Sequence, residues 1–195
     1  QRAPANHTGP NMRTYLRVAN VFEDRIDLSD VMSMNFEPDE YERFVLSPGD
    51  ILLNEGQSKE LVGRSAIFND ELEGACFTNS LVRFRPSSCV DGHYSQALFK
   101  HYLRNGTFQS IAQITTNIAH LGKERFATLD FPLPPLAEQR RIVAKLNALN
   151  TRSRRAKQAL DEIPDLIGKF KRSLLAAAFR GDLTADWREK HPDVE

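Results

Sequence analysis

Cysteine, tryptophan and long apolar runs are scarce in this chain, and neither charge sign is in excess. Two cysteines, Cys76 and Cys89, are too few for a zinc site, and no paired metal-ligand spacing surrounds them, so both read as plain thiols. No stretch approaches the roughly 18 apolar residues of a membrane span, and the opening QRAPANHTGP lacks the apolar core of a signal peptide. These features give an expectation of a cytoplasmic protein with no membrane partner. Lys plus Arg and Asp plus Glu number 26 each, a balance that does not announce a nucleic-acid binder, because general DNA affinity comes from cations that neutralise phosphates. The charge is uneven, however. Residues 1–135 carry 13 basic and 17 acidic side chains, eight of the acids lie between Glu23 and Glu42, and Arg83 to Asp130 has six basic to three acidic. A local basic face is therefore expected.

Several chemistries are also missing. There is no GxSxG elbow and no GxGxxG or GxxxxGK[ST] phosphate loop, and the five histidines are scattered. Pro134-Pro135 lies in LPPL, without the polar Asn or Asp that an amino-methyltransferase places before such a pair. No bound cofactor, metal or catalytic centre is expected. One alternative is kept open: Asp50, Glu55 and Lys59 as a magnesium-dependent nuclease cluster, against the simpler reading of Asp50 as part of the Ser47–Asp50 turn and the others as a solvated loop.

With 41% hydrophobic and 27% charged residues, the chain has the composition of a folded protein. Thr14 to Phe22 alternates and is rich in β-branched and aromatic residues, as a strand requires. Pro38 to Leu46 reads as a short proline-started helix, Leu46 to Asn54 as a turn and strand, and Gly56 to Asn69 as a polar loop before a strand. Ala75 to Pro86 reads as a further strand and His93 to Gly106 as a helix stopped by glycine. The polar segment that follows ends in an apolar strand at the DFPLP run. The pattern predicts a mixed α/β (α+β) domain with a small, twisted, mostly antiparallel sheet.

At Pro132, Pro134 and Pro135 the character changes. Prolines make a stiff joint, and Pro135 suits a helix start. Ile142, Leu146, Leu149, Ser153, Ala156, Leu160, Ile163 and Ile167 then recur at alternating steps of 4 and 3, a heptad seam weakened by Ser153. Pro164 predicts a break or kink near Ile163, with a restart over Asp165 to Phe179 and closure at Arg180-Gly181. One amphipathic helix leaves its stripe uncovered, so the seam implies a partner helix, from a second copy or elsewhere. The expected domains are 1–134, globular; 135–180, helical spacer; and 181–195, tail.

PLPPLAEQRRIVAKL resembles the junction in type I restriction-modification specificity subunits, where a target recognition domain runs into a long spacer helix. YLRVANV, LSPGDILLNEGQSKELVGRSAIF, QITTNIAHLGKERFATLDFPLP and KFKRSLLAAAFRGDLTADWR extend the resemblance from about Thr14 to Arg188. It implies a non-catalytic subunit that reads half of a bipartite double-stranded DNA target and docks the modification (methyltransferase) subunit. Through that complex it would meet the restriction subunit. It also implies one half of a subunit, trimmed at its start; the ending GDLTADWREKHPDVE favours the N-terminal half. A homodimer through the spacer helices would mimic a whole subunit. A coiled-coil adaptor that does not read DNA is the remaining alternative.

Base reading needs side chains with donors and acceptors on loops. Two loops qualify. The first holds Gln57, Ser58, Lys59 and Arg64, with a solvated turn as the simpler reading. The second holds Gln113, Thr115, Thr116, Asn117 and His120, where the alternative is a helix cap at Thr116 or Asn117. Arg83, Arg85, Arg104 and Lys123 are candidate phosphate contacts, against scattered surface charge. Arg152, Arg154, Arg155 and Lys157 would line DNA or the modification subunit, or simply flank a coiled coil. Trp187 reads as packing at the end of the spacer.

Overall fold

The computed structural model describes residues 7–115 and 117–193. They fall into two compact units that divide between Ala144 and Lys145. The first unit contains β1 (Met12–Leu16), β2 (Val21–Phe22), β3 (Arg25–Ile26), β4 (Met32–Asn35), α1 (Pro38–Phe44), β5 (Ile51–Asn54), β6 (Gly56–Gln57) and β7 (Ser65–Ile67). It continues with β8 (Cys76–Phe77), β9 (Leu81–Phe84), α2 (Gly92–Arg104), α3 (Thr107–Ile111), β10 (Gln113–Thr115), β11 (Ile118–His120) and α4 (Lys123–Ala127). A long helix, α5 (Leu136–Phe179), begins in this unit and continues into the second, which ends with α6 (Ala185–Lys190).

Strand β5 is buried on both faces, which explains why ILLN is a continuous apolar run. Leu52 points into a core made with Leu16, Met34, Phe36, Phe44 and Phe68, whereas Ile51 and Leu53 point into a second core with Val62, Phe99, Phe108 and Leu121. The strict side-chain alternation of a strand lets these residues serve both cores. Antiparallel partners β7 and β9 flank β5. Against the turn before β7, Gly63 has φ +81° and lies so close to the Phe108 ring that a Cβ would sit 2.3 Å from it. Only glycine permits that approach.

The mixed α+β class and the antiparallel preference agree with expectation, but the single sheet does not. Among the described residues the strands form three three-stranded sheets (β4-β1-β8, β7-β5-β9 and β10-β11-β6) and the β2-β3 pair. Within the first, β1 pairs antiparallel with β4 and parallel with β8. The predicted strand over Thr14 to Phe22 is broken because buried Asn20 organises a turn. Its Oδ1 accepts the Arg17 N–H at 3.0 Å, and its Nδ2 donates to the carbonyls of Asp27 and Asp30 at 2.9 and 3.0 Å. The strand predicted over Ala75 to Pro86 is likewise split, at a turn in which the Leu81 N–H donates to the Thr78 carbonyl at 2.9 Å.

The polar segment after α2 contains more structure than its composition suggests: α3, a β10-β11 hairpin and α4. No strand forms at the DFPLP run, because Pro132 and Pro134 have no amide hydrogen to give to a ladder. The run is anchored through side chains instead. Phe131 stacks on Phe84 with ring centroids 5.8 Å apart, the Tyr94 hydroxyl donates to the Pro132 carbonyl at 2.9 Å, and that of Tyr102 donates to Asp130.

Gln139 completes this anchor. It is fully buried, and its Oε1 accepts the Asp91 N–H at 2.7 Å while its Nε2 donates to the carbonyls of Cys89 and Pro134 at 3.0 and 2.8 Å. Asp91 in turn caps α2, its Oδ1 accepting the Tyr94 N–H at 3.0 Å. The first turns of α5 therefore belong to the globular unit.

The predicted break at Pro164 does not occur: α5 is helical throughout, with Pro164 inside it. Proline costs the helix one amide donor and frees the Leu160 carbonyl. Residues 152–167 are all exposed, so water is available to that carbonyl and the cost stays small. In the second unit Gly181 ends the helix with φ +79°, and Trp187 stacks on His191 with centroids 4.6 Å apart.

The two thiols differ. Burial in β8 pushes the Cys76 thiol up to about 11, opposed by nearby Arg13, while Cys89 is exposed. At neutral to mildly alkaline pH one thiol, Cys89, should react rapidly with an aromatic disulfide reagent and Cys76 only on unfolding; two fast thiols would contradict this packing. Because the native thiol binds its proton more tightly than the unfolded one, native stability should fall as pH rises from about 9 to about 11. Gln139→Ala removes the partner of three partly buried backbone groups and should lower unfolding free energy by about 1–3 kcal/mol in a urea titration. A loss below about 0.5 kcal/mol, the size of an ordinary surface change, would show that the anchor is dispensable.

Candidate nucleic-acid interface

The two loops singled out by residue type are far apart in sequence and adjacent in space. Strand β11 pairs antiparallel with β6, with Ala119 opposite Gln57 and His120 opposite Gly56, and the Leu121 N–H donates to the Glu55 carbonyl at 2.7 Å. On its other edge β11 pairs with β10, placing Gln113 opposite His120, Ile114 opposite Ala119 and Thr115 opposite Ile118. Buried Ala119 and Leu121 tie the hairpin to the second core.

Opposed residues in an antiparallel pair share a face and neighbours along a strand alternate. Gln113, Thr115, Ile118 and His120 therefore share one face, while Ile114, Ala119 and Gln57 share the other. Asn117 is exposed in the turn, and Thr116 lies outside the described residues. The alternative of a helix cap at Asn117 does not hold, since IAH is a strand and the next helix starts at Lys123.

Polar contacts hold this first face in place. His120 Nδ1 lies 3.3 Å from Glu55 Oε2, with the imidazole resting over Gly56, where a Cβ would stand 3.4 Å from the ring. The Arg125 guanidinium donates to Gln113 Oε1 through Nη2 and to the His120 carbonyl at 3.4 Å through Nη1. Gly122, at φ +64°, gives that guanidinium room, for a Cβ would sit 3.1 Å from Nη1. Neither Arg125 nor the pairing of Glu55 with His120 is visible in the sequence. The available signal was the Gln-Ile-Thr alternation ahead of Asn117, which marks a hairpin.

On the other loop Gln57 Oε1 accepts the Ser58 N–H at 3.0 Å, and the Ser58 carbonyl accepts the Leu61 and Val62 N–H groups, both at 3.0 Å. Lys59 is exposed at the tip of this turn. Arg64 packs over the Phe22 ring, 4.6 Å from its centroid, with Nε buried and without a hydrogen-bond partner among the described residues. Burial lowers its pKa, and Glu23 opposes that shift.

The remaining arginines are committed within the domain. Arg83 donates to the Val45 carbonyl at 2.8 Å and covers Phe77, and burial lowers its pKa. Arg85 grips Asp50 with Nε and Nη2 at 2.6 and 2.7 Å, which raises its own pKa. Arg104 donates to Glu23 at 2.6 Å, and Lys100 pairs with Asp24. The basic excess between Arg83 and Asp130 thus largely neutralises acids elsewhere in the unit, so the expected basic face is much reduced. Lys123 is exposed.

Asp50 and Glu55 do not form a joint site. Asp50 is buried, its carboxylate held by Arg85 and the Ser47 N–H at 2.8 Å, whereas Glu55 faces His120. Along α5, Ile142 is half-buried, while Leu146, Leu149, Ala156, Leu160, Ile163 and Ile167 are exposed, as are Arg152, Arg154, Arg155 and Lys157.

Fold and site together place a small sheet with exposed polar side chains on a mixed α+β scaffold, continued by a long helix. The chain belongs to the type I restriction modification DNA specificity domain family, whose model matches residues 22–165. It is 28% identical to the type I restriction enzyme StySPI specificity subunit of Salmonella potsdam, the match covering 94% of this chain and 40% of that protein. It is also 28% identical to the EcoKI specificity subunit of Escherichia coli strain K12, over 91% of this chain and 38% of that one. The chain thus spans about two fifths of these relatives. Among solved structures it resembles the HsdS subunit from Thermoanaerobacter tengcongensis, with TM-score 0.59 and 23% identity over 93% of this chain and 41% of that one. A chain from a structural study of complex assembly in the type I R-M system gives TM-score 0.56 at 25% identity, over 93% and 42%.

Proposed function

We propose that this chain is a target-reading half of a type I restriction-modification specificity subunit, working in the cytoplasm and binding double-stranded DNA. The observation that carries this reading is the pairing of β6 with β11, which brings the turn after Gln57, with exposed Lys59, beside the β10-β11 hairpin, with exposed Gln113, Thr115 and Asn117. Base edges are read there, by Gln57, Ser58, Lys59, Gln113, Thr115, Thr116, Asn117 and His120. Lys123, and any of Arg64, Arg83, Arg85 and Arg104 that release their present partners, meet phosphates. The domain runs to 134, the spacer over 135–180 and the tail over 181–195.

The chain carries no catalytic centre and holds no cofactor. Methylation and cleavage belong to the modification and restriction subunits, the former docking on this chain. The seam of Ile142, Leu146, Leu149, Ala156, Leu160, Ile163 and Ile167 is covered by a second spacer helix, from the other half or from another copy of this chain. A helix rising about 1.5 Å per residue then sets the distance between half-sites.

In a fluorescence anisotropy titration with the modification subunit present, the target duplex should bind and single-base changes within this chain's half-site should each weaken binding by about 1–3 kcal/mol. Sequence-blind binding would defeat the reading, and unchanged methylation patterns in Gln57→Ala and Lys59→Ala complexes would favour the adaptor alternative. Magnesium with plasmid should give no cleavage; nicking lost in Asp50→Ala would instead revive a nuclease. Light scattering of the chain alone should give a dimer mass that Leu160→Asp reduces to a monomer, and a monomer before substitution would remove self-pairing.

A further inference from the structure

We propose that Gln113 and His120 act together as one base reader of fixed polarity, a hydrogen-bond donor beside an acceptor, and that this pair selects adenine in the major groove. The inference rests on the reading that this hairpin contacts DNA and names what that contact recognises.

The two residues are directly opposed across β10 and β11, so their side chains leave the same face of the sheet as close neighbours. An isolated glutamine can turn its amide either way and present oxygen or nitrogen. Here Gln113 Oε1 is held by the Arg125 guanidinium, a group with donors only, so the amide nitrogen is the end turned away from Arg125. Arg125 is itself fixed by its second bond, to the His120 carbonyl at 3.4 Å, and by the space Gly122 leaves for it. Gln113 therefore offers Nε2–H donors, and no hydrogen bond to Nε2 exists among the described residues.

His120 has the complementary arrangement. Its Nδ1 faces Glu55 Oε2 at 3.3 Å, and a carboxylate can only accept, so Nδ1 carries the proton in the neutral ring. In that neutral form Nε2 is a bare acceptor, on a side chain 40% exposed. Gly56 contributes by having no side chain between the imidazole and the strand beneath it.

One donor beside one acceptor matches an edge that offers an acceptor beside a donor. In the major groove a single base with that pattern is adenine, with N7 to accept from Gln113 and N6 to donate to His120. Guanine offers two acceptors there, and its O6 would meet the His120 lone pair. A single Asn or Gln normally supplies both halves of this contact; here two strands supply one half each. Arg125 and Glu55 act as positioning residues, since they set which atom faces outward without touching the base.

The test uses the native complex, purified through a tag on this chain, with a randomised duplex library sequenced after binding. The wild type should enrich a motif containing an adenine that 7-deazaadenine, which lacks the N7 acceptor, replaces only with at least about fivefold weaker binding, the lower end of a base contact. Gln113→Glu, which substitutes an acceptor for the donor, should relax selection at that adenine by a similar factor and leave the other motif positions and the thermal unfolding midpoint unchanged. Arg125→Met should relax the same position, because the freed amide can turn. No motif at all would remove the reading beneath this proposal, and the proposal with it. A clear motif that Gln113→Glu, His120→Phe and Arg125→Met all leave intact, or a changed position that is not adenine, would overturn the proposal while leaving DNA reading in place.

Discussion

The backbone pairing of Gly56–Gln57 with Ile118–His120 is the contact on which the rest of the site depends. It joins segments separated by some sixty residues, and closing so long a loop must be offset elsewhere. Ala119 and Leu121 offset it by burying beside Phe108 and Val62 in the core that β5 shares. Polar side chains on the exposed edge contribute little to that balance. The pairing is thus held by the buried residues beneath it and not by the identity of the polar side chains on the edge.

Gln139 plays the corresponding part at the start of the long helix. A buried glutamine is costly unless its amide is satisfied, and here three backbone groups satisfy it. The prolines before it leave carbonyls without ladder partners, and Gln139, Tyr94 and Tyr102 take up three of the carbonyls between Asp130 and Pro134 in their place. The motif PLPPLAEQ is therefore legible as a mechanical joint, in which proline rigidity and one polar plug hold the first turns of α5 to the globular unit.

Much of this was visible in the sequence where a physical rule acts locally. Pro38 begins a helix where proline geometry places it, Gly106 follows the helix read over His93 to Arg104, and the strand expected before Asn54 forms over Ile51–Asn54. What stayed hidden depended on distant partners. Asn20 breaks a predicted strand because Asp27 and Asp30 offer it carbonyls, and the hairpin at Gln113–His120 forms because β6 offers it an edge. Pro164 read as a stop because propensity says so, yet an exposed helix allows water to take the orphaned carbonyl. The arginines show the same limit in charge: six basic residues to three acidic between Arg83 and Asp130 point to a basic face, but Asp50 and Glu23 claim two of the arginines.

Hydrogen–deuterium exchange of the native complex, with and without its target duplex, addresses the central claim most directly. The account predicts slowed exchange in peptides covering Gly56–Ser58 and Ile118–His120 when specific DNA is added, and little change with a scrambled duplex. Protection confined to the long helix, with both strands of this small sheet exchanging as before, would contradict it.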